Sequence, residues 1–423
     1  MKYLKQFSLY TFVGFFNAGI SFLLMPYISH QINPAGYGIL SMVNSFVTIL
    51  IPLMGITATG IITIEYYKKG FQKEFRSLTS SILILPLFLG LFFGVVAVLF
   101  SPQIAFFLDL PKEKSYWIGL SVLIALFSIY AEVQSVYLIV EQKAALYVKL
   151  AISKFLLEIF LTILFISVFH MSWEGRLLSW LITSTIMLIA SLIYFKKMDL
   201  LTLQIKKVYI MAGVNFGLPL ILHTIGKFVI NQSDRIFIAK LISIDQAGIY
   251  NIGYQIGMLI LLLITALDNF YQPFLYERLS DRTLKGDIEI VRVTYIAIAG
   301  LVLVLVIMSA LSPLLFRYYI DASYAEGQKF VFWIGLSYLF WGIYILFTGF
   351  IFYTKKTKIL GHLAVLNLIV NLVLNYFLIV YFGALGAAYA TCISFFMVAF
   401  IVTLIGGKMF NLPWFEYKLI MKK

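Results

Sequence analysis

Long apolar runs separated by short polar turns set the pattern of the whole chain. Runs of about twenty or more mostly apolar residues occur at 8–31, 37–61, 79–101, 115–138, 148–169 and 176–195. They continue at 216–241, 249–273, 292–316, 330–353, 359–381 and 385–407. A helix needs roughly 20 apolar residues to cross a hydrocarbon layer ~30 Å thick, so each run predicts one span. The alternating segments of about ten residues that mark a membrane β-barrel are missing. Twelve spans use almost the entire length and leave no room for a soluble catalytic domain. The expected fold class is therefore all-α integral membrane, with about twelve transmembrane helices.

Composition supports this pattern. Of 423 residues, 62% are apolar and 12% charged, against about 25% charged in a typical soluble domain. Lys2 and Lys5 precede the first run, and no small-residue cleavage site follows it, so the first span is expected to be retained. The single cysteine, Cys392, allows no intrachain disulfide.

Charge fixes an orientation. The net charge of +13 comes from 32 Lys and Arg against 19 Asp and Glu. About 23 of the basic residues fall in alternate loops and at both ends, and about six fall on the other side, which predicts cytoplasmic termini. The basic excess orients the chain and needs no nucleic-acid partner.

Twelve spans also divide into two sixes. A shift of 212 positions sets Ile32-Asn33-Pro34-Ala35-Gly36 on Ile244-Asp245-Gln246-Ala247-Gly248, and pairs Gly14 with Gly226 and Glu65 with Glu277. Gly175 and Gly386 fall one residue out of that register. An even number of spans per half makes the repeats parallel. The expected domains are a six-helix lobe at 1–200 and a second at 201–423. Such duplication suits alternating access and points toward a transporter.

Ionisable groups inside a bilayer are costly and mark cavities or pairs. The seventh span carries Lys227, Asp234 and Arg235, with His223, Asn231 and Gln232 near them. Lys227 and Asp234, two turns apart, share a face. The set reads either as a salt-bridge network between helices or as a site for an anionic substrate. Lys154 and Glu158 in the fifth span have the i, i+4 spacing of a direct pair. Glu132 in the fourth span and Asp268 in the eighth lack a partner nearby in sequence. With Asp234 and Glu158 they are the candidates for binding a coupling H+ or Na+. Asn367, Asn371 and Asn375 form an amide stripe on the eleventh span, suited to interhelical hydrogen bonds or to sugar hydroxyls.

Several chemistries find no support. No phosphate-binding G-x-x-x-x-G-K-[ST] loop occurs. The histidines His30, His170, His223 and His362 are scattered without metal-ligand spacing, so no cofactor or metal is expected. The non-cytoplasmic loops are short, the longest being near 102–114 and 317–329. A lipid-linked sugar polymerase would carry a larger one, so no enzymatic activity is expected.

A family resemblance adds to this reading. The basic N-terminus with Phe12-Val13-Gly14 and Gln31-Ile32-Asn33-Pro34-Ala35-Gly36-Tyr37-Gly38 resembles Wzx-type polysaccharide (O-antigen) flippases. These belong to the multidrug/oligosaccharidyl-lipid/polysaccharide superfamily. Phe216-Gly217-Leu218-Pro219, Asp234-Arg235 and Ala247-Gly248-Ile249-Tyr250 resemble its second-half signature. So do Gln272-Pro273-Phe274-Leu275-Tyr276-Glu277 and Gly383-Ala384-Leu385-Gly386-Ala387-Ala388-Tyr389-Ala390-Thr391. The resemblance covers essentially the whole chain. It implies two six-helix lobes around a cationic cavity, in the bacterial inner membrane. The implied substrate is an undecaprenyl-diphosphate-linked oligosaccharide moved from the cytoplasmic to the outer leaflet, with polymerase and chain-length machinery as the implied partners. Lys227, Arg235 and Lys154 are the positions that could supply the cations, and the Asn stripe could meet the sugars. A MATE-type antiporter for cationic drugs is the alternative, against which Lys227 and Arg235 weigh.

Overall fold

A computed structural model of the protein describes residues 22, 24–56, 58–67 and 74–416, with the backbone alone for 219 and 222–231. All regular structure among the described residues is helical, and ten helical stretches there are long and apolar enough to cross a membrane. Most of the first expected span lies outside the described residues; 24–31 are helical. The chain divides into two compact units, Met1–Gln232 and Ser233–Lys423.

The first unit contains α1 (Pro34–Gly55), α2 (Ala58–Tyr67), α3 (Phe75–Leu83), α4 (Leu85–Leu99), α5 (Ser101–Phe107), α6 (Tyr116–Val140), α7 (Ala144–Ile163) and α8 (Trp173–Lys197). A π-turn at Leu164–Val168 closes α7. Helix α6 is the hub, packed by α1, α2, α4 and α8. Hydroxyl and amide side chains join it to its neighbours: Tyr130 donates to the Leu83 carbonyl at 2.8 Å and Ser191 donates to Gln134 at 2.8 Å. Within lipid such contacts replace the hydrophobic drive that would pack helices in water.

The segment after α8 is held on α3 by three serines. Ser77 and Ser80 donate to the carbonyls of Gln204 and Leu200, while Thr202 and Lys206 donate backbone N–H groups to Ser80 and Ser81. At the turn from α6 to α7, Glu141 accepts from Tyr137 at 2.8 Å and from Tyr194 at 3.2 Å, and pairs with Lys143 at 2.6 Å. That hydrogen bond holds the Lys143 ammonium above its ordinary pKa.

Helix α9 (Lys207–Leu241) is 35 residues long and contains the boundary between the units. The second unit continues with α10 (Ile244–Gly257), α11 (Ile260–Ser280), α12 (Leu284–Tyr318), α13 (Gln328–Tyr353), α14 (Lys358–Phe382) and α15 (Ala384–Lys408). Here α13 is the hub, packed by α10, α11, α12 and α15. Helices α14 and α15 form a tight hairpin around Gly383, whose φ of 62° and ψ of −153° a side chain would make costly.

The repeat read from sequence recurs in the helix boundaries. Hub α6 begins at Tyr116 and hub α13 at Gln328, 212 residues later. Helix α8 recurs 211 residues on as α15, the same one-residue slip that Gly175 and Gly386 show. The matched turns begin their helices differently. Asn33 caps α1, its Oδ1 accepting from Gly36 N at 2.8 Å with Pro34 at the first turn. In the second unit Ser243, not Asp245, is the cap, accepting from Gln246 N at 3.2 Å, and Asp245 lies in the first turn. Asn33→Ala is expected to cost about 1 kcal/mol, read as a lower melting temperature in detergent, with Asn33→Ser close to wild type. Equal melting of Asn33→Ala and wild type would contradict the cap.

Candidate functional site

The densest buried polar cluster lies in the second unit, where the end of α9 meets α10 and α13. Asp234 and Arg235 are only 1% and 5% exposed. Tyr250 donates to Asp234 Oδ2 at 2.5 Å, and Arg235 Nη1 lies 3.4 Å from Asp234 Oδ1. Arg235 Nε donates to Asn251 Oδ1 at 3.0 Å, and the guanidinium lies 4.1 Å from the centre of the Tyr254 ring. Tyr254 and Tyr338 share a hydrogen bond at 2.8 Å, which carries the network onto α13. Adjacent residues on a helix point about 100° apart, yet the carboxylate and the guanidinium still meet. A charge removed from water is tolerated where its remaining hydrogen-bonding positions are filled, and α10 fills them with Tyr250, Asn251 and Tyr254.

Close backbone approach makes this possible. A Cβ on Gly253 would come within 2.2 Å of the Gly327 carbonyl oxygen, and one on Gly257 would meet Ile334 at 2.7 Å. Helix α10 can therefore lie against α13 only through glycine, and that proximity brings Tyr254 to Tyr338.

The amide stripe is buried in the same unit. Asn367, Asn371 and Asn375 are 4%, 0% and 0% exposed. Asn371 Nδ2 donates to Ser394 on α15 at 3.2 Å, and its Oδ1 accepts from Ser233 at 3.4 Å and from Asn375 at 3.0 Å. Asn367 Oδ1, Asn375 Oδ1 and Thr391 Oγ1 have no hydrogen-bond partner among the described residues. The stripe thus makes interhelical bonds and still leaves two of its own oxygens open among the described residues, and Thr391 Oγ1 on α15 is open too. Ser233, next to Asp234 in α9, is the bond that ties the stripe to the same helix as the buried pair.

In the first unit the expected Lys154–Glu158 pair is not formed. Glu158 pairs instead with Arg176 at the start of α8, at 2.6 Å, and Arg176 also donates to Thr162 at 3.1 Å. Spacing along one helix permitted the local pair, but the shorter contact comes from the facing helix. Lys154, left without that carboxylate, is the cation whose charge reaches Glu132 on α6. Neither Glu132 nor Lys154 has an ion-pair partner within 4 Å among the described residues. Asp268 on α11 accepts from Gln272 at 3.0 Å. Lys227, His223 and Asn231 lie on α9 with side chains outside the described residues; Gln232 accepts from Ser45 at 3.1 Å.

Asn251, Tyr254, Tyr338 and Arg176 were not singled out from the sequence, and Tyr250 entered only within a family motif, without a role. The spacing of Tyr250 and Tyr254 puts both on one face of a helix, a signal that could have found two of them. Tyr338 and Arg176 have no local signal, since only packing brings them in.

The helical architecture and the repeated hub define a multi-pass membrane protein. The polysaccharide biosynthesis protein family matches residues 3–267, more than half of the chain, and the chain belongs to that family. An uncharacterized membrane protein of Haemophilus influenzae is 25% identical over 415 residues, covering 96% of this chain and 95% of the relative. The Lsg locus putative protein 1 of the same organism is 24% identical, covering 88% and 90%. Among solved structures, an inward-facing multidrug resistance MATE family transporter of the MOP superfamily matches with a TM-score of 0.71 at 12% identity, covering 91% of this chain and 93% of that one. The MATE multidrug transporter DinF-BH matches at 0.64 and 16% identity, covering 95% and 94%. At such identities the likeness establishes the MATE-like fold.

Proposed function

We propose that the protein moves an undecaprenyl-diphosphate-linked oligosaccharide from the cytoplasmic to the outer leaflet of a bacterial inner membrane by alternating access. The lobes 1–200 and 201–423 are the moving bodies and both termini face the cytoplasm. The observation that carries the reading is membership of a polysaccharide biosynthesis family by a chain with a transporter fold. A diphosphate and its sugars cannot cross hydrocarbon unaided, whereas a prenyl tail can stay in lipid. Cations suit the phosphates, and Lys227 and Lys154 are the ones assigned to them. Arg235 is already committed to Asp234, Asn251 and Tyr254, which suits it to shaping the site more than to releasing and rebinding a headgroup.

Outward movement of negative charge is favoured by an inside-negative potential, at about 2.3 kcal/mol per charge per 100 mV. Coupling to H+ or Na+ adds to this drive without being required by it. Of the four carboxylates considered for coupling, Asp234 and Glu158 have cationic partners within 4 Å. Glu132 is the better assigned: the Lys154 charge reaches it, and it has no ion-pair partner within 4 Å among the described residues.

Deletion of the gene, followed by analysis of lipid-linked intermediates on each membrane face, tests the reading. Build-up of glycosylated lipid on the cytoplasmic face is expected. Unchanged intermediates with new sensitivity to cationic drugs would identify a drug antiporter instead. Lys227→Ala is expected to lower export several-fold at normal expression, and undiminished surface glycan in cells relying on that variant would remove Lys227 from the site.

A further inference from the structure

The turn between α13 and α14 in the second unit lies in a long stretch of chain without carboxylates. No Asp or Glu occurs at 327–415. Lys355 has a left-handed φ of 58°, and Lys356 N donates to the Ile351 carbonyl at 3.1 Å. The chain therefore reverses within a few residues, and α14 starts at Lys358. Lys355, Lys356 and Lys358 share this one turn. All three are exposed, and none has an ion-pair partner within 4 Å among the described residues.

The end of α15 brings a fourth cation to the same place. Thr354 Oγ1 lies 3.6 Å from Met409 Sδ, and the ring centres of Tyr353 and Phe410 are 5.9 Å apart. Lys408 adjoins Met409 in the chain and is also exposed, without an ion-pair partner among the described residues. The segment after α15 is fixed there. Trp414 Nε1 donates to the Gly407 carbonyl at 3.0 Å, and Arg282 donates to the Phe410 carbonyl at 2.8 Å. The arginines of the α11–α12 turn are already paired, Arg282 with Asp287 at 2.7 Å and Arg278 with Glu289 at 2.9 Å. One or two lysines at a helix end are ordinary solvated cations. Four on two packed helices, none paired with a carboxylate, form a surface whose counter-charge must come from outside the chain.

We propose that this patch holds the phosphate headgroups of anionic phospholipids of the surrounding bilayer. A basic cluster directly beyond a membrane helix gains from each anionic headgroup within about a Debye length. Lysine suits the task, because its ammonium is a point charge on a flexible stem and needs no fixed geometry at a phosphate. Aromatic side chains mark the depth. Phe352 is 48% exposed and Tyr353 36%, with the Tyr276 ring 5.8 Å from that of Tyr353, and exposed rings at the end of a span settle at headgroup level. The lysines just beyond them then meet phosphates. The occupant is a lipid of the bilayer and not the one transported, so the proposal stands apart from the flippase reading.

The test measures binding of phosphatidylglycerol and phosphatidylcholine to the full chain in a neutral detergent, by native mass spectrometry. Wild type is expected to prefer phosphatidylglycerol. The triple variant Lys355→Gln, Lys356→Gln, Lys358→Gln is expected to weaken phosphatidylglycerol binding about tenfold and to leave phosphatidylcholine unchanged. Lys408→Gln alone is expected to weaken it about fivefold. The control removes the same charge from three lysines that have carboxylate partners: Lys114 with Glu174 at 2.8 Å, Lys206 with Glu74 at 2.9 Å and Lys329 with Glu326 at 2.7 Å. Substitution of those three with Gln is expected to leave the preference near wild type. An equal loss in the control would show a response to net charge alone and overturn the patch. A triple variant that keeps the wild-type preference would overturn it as well. Displacement of phosphatidylglycerol by an equal concentration of undecaprenyl diphosphate, in wild type but not in the triple variant, would overturn the phospholipid as occupant and give the patch to the carrier lipid.

Discussion

Asp234→Ala is expected to destabilise the protein by about 3–5 kcal/mol, because it removes one partner of a buried ion pair. Arg235 would keep Asn251 and the Tyr254 face but lose its carboxylate, and Tyr250 would lose its acceptor. The measurement is the melting temperature of purified protein in detergent, together with the fraction recovered as a single species. The decisive comparison is the double variant Asp234→Leu, Arg235→Met. Replacement of both charges with apolar side chains buries neither charge of the pair, so the double variant should lose less stability than Asp234→Ala alone. A double variant that loses the sum of two large single effects would show that the pair does not act as a unit. Asp234→Ala melting like wild type would show that the guanidinium does not depend on this carboxylate.

The second large effect is expected at Gly253. Its added methyl would meet the Gly327 carbonyl oxygen at 2.2 Å, and backbone cannot rotate aside as a side chain can. Helix α10 must then move away from α13, at a cost of about 1–3 kcal/mol or more. The shift would also separate Tyr254 from Tyr338 and loosen the stack over Arg235. Gly253→Ala should therefore lower stability and export together. At Gly94, where a Cβ would meet nothing within 4 Å, the same substitution should leave both near wild type. Normal export and stability in Gly253→Ala would show that the two helices do not need this close approach.

Both predictions fall on residues whose importance the sequence showed unequally. Asp234 and Arg235 stood out at once, since charges in an apolar run are costly wherever they point. Their relation to each other did not, because a separation of about 100° on the helix favours neither contact nor its absence until α10 supplies Tyr250 and Asn251. Lys154 and Glu158 show the reverse case. Their spacing permits a contact, but Arg176 on the next helix makes a shorter one with Glu158. The asparagine stripe was legible as a stripe, because four-residue spacing on a helix makes a face whatever it packs against. That both amide atoms of Asn371 are bonded while Asn375 keeps an open oxygen among the described residues depends on Ser233 and Ser394, which no periodicity selects.

By itself the sequence determined the helical class, the place of each described span and the register of the repeat. Span length follows from bilayer thickness, and a turn between apolar runs tolerates few residue types, so both leave marks readable one segment at a time. Only the tertiary structure decided which buried charges are partnered and which helix is the hub of each unit. Those properties belong to pairs of residues far apart in the chain. Their energies depend on distances between helices, which glycines such as Gly253 set and which no local pattern encodes.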